Sequence, residues 1–76
     1  MAEEYRYENG KDILDFKIGI HRYNIMHATR LIDNKRIYVL SVLVTDPDYH
    51  LKFPQLEYNS LEKAVDKLNW FLNSNS

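Results

Sequence analysis

Cysteine is absent from this chain, and glycine and proline occur only twice each. Without cysteine there are no disulfides, no thiolate catalysis and no zinc-thiolate sites. A small secreted domain usually relies on such covalent staples, so their absence predicts a cytoplasmic protein. With only Gly10 and Gly19 available, no glycine-rich loop can cradle phosphates. The longest apolar run is far short of the ~20 residues of a membrane-spanning helix. The opening "MAEEYRYENG" is acidic and polar, unlike a signal peptide. No serine sits in a nucleophile-elbow context, and no His-Glu-x-x-His pattern occurs.

What remains is 76 residues, 45% of them hydrophobic and 13% aromatic, which is enough to fold as a single domain over 1–76. The formal net charge of −1 is unevenly spread. Residues 1–16 hold five acids against Arg6 and Lys11, whereas residues 17–36 hold Lys17, Arg22, Arg30, Lys35 and Arg36 against Asp33 alone. Residues 37–76 are acidic again, so a mildly basic middle lies between acidic flanks.

"YRYENGKDIL" carries Asn9-Gly10 between alternating segments, a hairpin signature that would set Tyr7 across from Asp12 and Tyr5 across from Leu14. The following strand puts Leu14, Phe16, Ile18 and Ile20 on one face, with Asp15 and Lys17 on the other. A break is expected at Gly19 or at Arg22–Asn24, because strands seldom run on for so long. "YNIMHATRLI" is the next strand, turned by Asp33-Asn34 into "RIYVLSVLVT". A two-residue loop there would pair Ile25 with Val42, His27 with Leu40 and Met26 with Ser41. One face then carries Tyr23, Ile25, Tyr38, Leu40, Val42 and Val44. The other carries Arg22, Asn24, Met26, Ala28, Arg30, Ile37, Val39 and Leu43.

Beyond a Pro47 turn, "YHLKF" alternates as a short strand up to Pro54. "NSLEKAVDKLNWFLN" is a helix, with Asn59 as N-cap and Glu62 in a capping-box position. Its apolar stripe is Leu61, Ala64, Val65, Leu68, Phe71 and Leu72, and residues 73–76 form a frayed tail. The fold class is α+β: a meander of about four antiparallel strands with a C-terminal helix on one face.

Two features are left over. The second sheet face, with Met26, Ala28, Ile37, Val39 and Leu43, has no element left to cover it unless the sheet curls, barrel-like, and the N-terminal hairpin folds across to fill the gap. Trp70 lies opposite the helix's apolar stripe among Lys63, Asp66 and Lys67, the setting of an interface anchor. The dull alternative is an indole tucked against a loop near Tyr58. These residues together predict a non-catalytic protein-binding module without a cofactor. It would be an inhibitor or adaptor of the type phages and mobile elements deploy, acting by masking a partner protein. A homodimeric structural domain that hides its second sheet face is a further reading.

The rival reading is nucleic-acid binding through Arg22, Arg30, Lys35 and Arg36, with Tyr23 and Tyr38 for stacking. The weakest is an enzyme built on Asp46, Asp48 and His50, whose aspartates flanking a proline are also ordinary turn chemistry. His21 and His27 stand about 20 Å apart along a strand, too far to share a metal ion.

Overall fold

Four antiparallel strands lie side by side in chain order in the computed structural model, which describes residues 6–44 and 55–74. They are β1 (Tyr7–Ile18), β2 (His21–Arg30), β3 (Lys35–Val44) and β4 (Leu56–Tyr58). Among the described residues one helix, α1 (Leu61–Ser74), packs on one face of the sheet. The α+β meander read from the sequence is the observed fold. The expected strand over 49–53 lies outside the described residues, as do Asp46, Asp48 and His50.

Asn9-Gly10 does not turn the chain. β1 runs straight through it, and Tyr7 pairs with Arg30 rather than with Asp12. Asn9 and Gly10 together oppose Ala28, between the pairs Glu8–Thr29 and Lys11–His27, and Asn9 has φ of 56°. This is a β-bulge of the type whose first residue is left-handed, the conformation that a tight hairpin turn also uses. A second bulge leaves Ile13 unpaired between Asp12–Met26 and Leu14–Ile25. The first reversal comes instead at Gly19-Ile20, a two-residue loop with Gly19 at φ 62°, as a type II′ turn requires. Ile20 therefore belongs to the turn and not to the strand face.

The β2–β3 connection spans four residues, Leu31–Asn34, rather than Asp33-Asn34 alone. Ile25 consequently faces Leu40, His27 faces Tyr38, and Met26 faces Val39. The shift from the expected register is two residues, so every side chain keeps its predicted face. Asp33 is drawn into the loop by Arg30, whose Nε and Nη2 donate to its carboxylate at 2.9 and 2.5 Å. Asn34 closes the loop at φ 58°.

Tyr23, Ile25, Leu40 and Val42 form the core against Ala64 and Leu68 of α1, with Phe16, Leu56, Tyr58, Val65, Phe71 and Leu72 around them. The helix begins one residue later than the sequence suggests. Ser60 is the cap: its Oγ accepts the Lys63 N–H and its carbonyl accepts the Ala64 N–H, both at 3.3 Å. Asn73 and Ser74, expected to fray, complete the last turn.

The second sheet face is closed at its centre. Val39 is 0% exposed, Ile37 1% and Ala28 0%. The Tyr7 hydroxyl, from one edge strand, donates to Glu57 on the other. On a flat sheet the two residues would stand three strand spacings apart, about 14 Å. They would also be offset along the strands, since Tyr7 lies in the row of Lys35 and Glu57 in the row of Val39. That exceeds what the two side chains can span, so the sheet curls around these apolar residues. Gly10 is drawn in as well: a Cβ there would stand 2.6 Å from the Met26 sulphur. Ile37 and Val39 are therefore core residues, which corrects their sequence-based assignment to a contact surface. Met26 is half-buried, and only Leu43 of that group is exposed.

Candidate protein-binding surface

Lys63, Asp66, Lys67 and Trp70 follow one another at i, i+3, i+4 and i+7, so a regular helix gathers them into one stripe. Ala64 and Leu68 hold the opposite face of α1 against the sheet, which turns this stripe outward. Trp70 is 54% exposed. The Lys67 ammonium sits 4.2 Å from the centroid of its ring, and Phe71 meets it edge-on at 5.1 Å. A cation over an indole face is an attractive electrostatic contact, and here it holds the ring in one orientation. Tyr58 of β4 joins the stripe to form a shallow, solvent-open groove of about 380 Å³. The four helix residues named from the sequence thus come together. Tyr58 lines the groove opposite them, while the indole stays out in solvent.

The basic middle of the chain does not assemble into one surface. Arg22, Arg30 and Lys35 lie on the sheet face away from α1, whereas Arg36 lies on the helix face. Arg22 grips Asp15 with both arms of its fork, at 2.9 and 2.7 Å. Arg30 is shared between Asp33 and Glu57, the latter at 2.7 Å. Hydrogen bonds from these guanidiniums hold the Asp15 and Asp33 carboxyls below their usual range. Glu57 is lowered by its Tyr7 hydrogen bond and then by Arg30. Burial, with Glu57 beside it, pushes the Tyr7 phenol up to about 12. Arginines already neutralised by carboxylates have little charge left for a phosphate backbone.

Arg36 takes neutral acceptors instead: Thr29 Oγ1 at 2.9 Å, the Asn9 carbonyl at 3.2 Å and His27 Nδ1 at 3.2 Å. Because a guanidinium only donates, His27 accepts at Nδ1 and carries its proton on Nε2. Its ring stacks on Tyr38 at 4.4 Å. This cluster knits the bulge to β2 and β3, a role that sequence spacing did not signal.

Among the described residues, no group of three or more His, Asp or Glu side chains could hold a metal ion. No described helix is long and apolar enough to cross a membrane. In comparisons with protein-family models, curated proteins and solved structures, no match to this chain was found.

Proposed function

We propose that this chain is a non-catalytic protein-binding module that docks through the outer face of α1, with Trp70 as its anchor. The observation that carries this reading is the half-exposed indole, oriented by Lys67 at the rim of the groove shared with Tyr58. An exposed tryptophan offers a large rigid surface at small entropic cost, and such residues dominate binding energies at interfaces. Lys63, Asp66 and Lys67 around it supply the polar rim that sets partner choice and register. By occupying a partner's surface the module would act as an inhibitor or adaptor. A cysteine-free composition suits a reducing, cytoplasmic setting.

Affinity capture from lysate of the source cell, with wild type and Trp70→Ala side by side, tests the reading. The expected result is one stoichiometric protein partner retained by wild type and lost by the variant, whose circular dichroism is unchanged. Equal retention by both proteins would remove Trp70 from the interface.

A further inference from the structure

β1 is an edge strand: among the described residues its only neighbour is β2. Its first half is broken by the two bulges, and its far end by the Gly19 turn. The one regular stretch between them is Leu14–Ile18, "LDFKI". Read against itself in antiparallel sense about Phe16, this stretch is self-complementary. Leu14 opposes Ile18, Asp15 opposes Lys17, and Phe16 opposes Phe16.

We propose that a second copy of this chain pairs along this edge, β1 to β1, about a two-fold axis through Phe16. This proposal is independent of the reading of α1 given above. The backbone is phased for it. The two-residue loop makes Ile18 and His21 a hydrogen-bonded pair, and an antiparallel ladder alternates from there. Phe16 therefore spends its N–H and C=O on β2, whereas those of Asp15 and Lys17 point to the free edge. In the two-fold register Asp15 and Lys17 exchange both backbone bonds with Lys17 and Asp15 of the other copy, about four bonds in all. The two Phe16 residues form the close, non-hydrogen-bonded pair at the axis.

Side chains agree with the backbone. Ile18 is 57% exposed and Leu14 36%, and both lie with Phe16 on the α1 side of the sheet. Pairing would set Leu14 of each copy beside Ile18 of the other and cover that apolar row. On the opposite side Asp15, already held by Arg22, would gain a lysine from the second copy. A lysine on an edge strand ordinarily guards against such pairing. Here the facing aspartate turns it into an attractive partner. The product is one continuous eight-stranded sheet with both helices on the same face.

Sedimentation velocity of the full chain across concentration tests this. Wild type is expected to dimerise with a dissociation constant below about 1 mM. Lys17→Glu alone and Asp15→Lys alone, each setting like charges opposite one another twice, should weaken dimerisation at least tenfold. Mixed in equal amounts they should form a heterodimer, since every facing pair is then of opposite charge. Should Asp15→Lys not fold, Lys17→Pro serves in its place: it deletes an N–H aimed at the free edge and leaves the bonds to β2 alone. A wild type monomeric up to about 1 mM would overturn the proposal. So would a dimer that survives Lys17→Glu or Lys17→Pro, or folded charge variants that fail to recover a dimer on mixing.

Discussion

The phenol of Tyr7 donates a hydrogen bond to the Glu57 carboxylate across the full width of the sheet, joining β1 to β4. Arg30, which pairs with Tyr7 on the neighbouring strand, donates to the other oxygen of the same carboxylate. A meander has no covalent device for holding its two edges together, and this polar bridge serves in its place. Under it lie Ala28, Ile37 and Val39.

Removing the hydroxyl should therefore loosen the curl. Tyr7→Phe is expected to lower stability by about 1 kcal/mol, the value of a hydrogen bond to a charged group discounted for its partial exposure. Urea denaturation measures it. The same group gives an alkaline signature. A phenol that ionises only near 12 when folded, against 10.0 when free, favours the folded state below pH 10. That contribution is lost as pH rises through this window, so wild type should lose more stability between pH 10 and 12 than Tyr7→Phe does.

On the acid side the sign reverses. Asp15, Asp33 and Glu57 all titrate lower folded than unfolded, because arginines, and for Glu57 chiefly Tyr7, hydrogen-bond to their charged forms. Their contribution is complete above the free values of 3.8 and 4.5 and disappears as pH falls through the lower folded ones. Thermal midpoints should drop as pH is lowered from 5 toward 2. Arg30→Gln, which unpairs Asp33 and leaves Glu57 with Tyr7 alone, should flatten that drop.

Gly10 is a site of close approach. Gly10→Ala would press a methyl against the middle of the Met26 side chain, and a loss of about 1 kcal/mol is expected. Met26→Ala in the same chain should recover part of it, so a double-mutant cycle by urea denaturation should show favourable coupling. Strict additivity would mean that the bulge lies elsewhere.

Val39 and Leu43 separate core from surface along one strand face. Val39→Ala should cost about 2 kcal/mol through the cavity it leaves. Leu43→Ala, at a residue 38% exposed, should stay within about 0.5 kcal/mol. Equal effects in urea denaturation would contradict the burial described here.

Much of this arrangement is written into local spacing. The two faces of β2 and β3 follow from alternation, and a register error of two residues leaves them intact. The α1 stripe and the outward Trp70 follow from helical periodicity. Asn9-Gly10 misleads because a left-handed residue suits a bulge as well as a turn, and only pairing with β2 decides between them. The sealing of Val39 is legible only as one of two alternatives, a curled sheet or an open face, between which local pattern does not choose. It depends on Tyr7 and Glu57, fifty positions apart, meeting over the face of a sheet that local pattern describes as flat.

The stability of Trp70→Ala, measured by chemical denaturation of the full chain, decides whether the outer face of α1 carries a free anchor. An indole standing in solvent, tied to the fold chiefly by Lys67 and the edge of Phe71, should be removable for about 1 kcal/mol or less. A loss of about 3 kcal/mol or more is what a core tryptophan costs. That result would make Trp70 part of the interior and leave the outer face of α1 without its anchor.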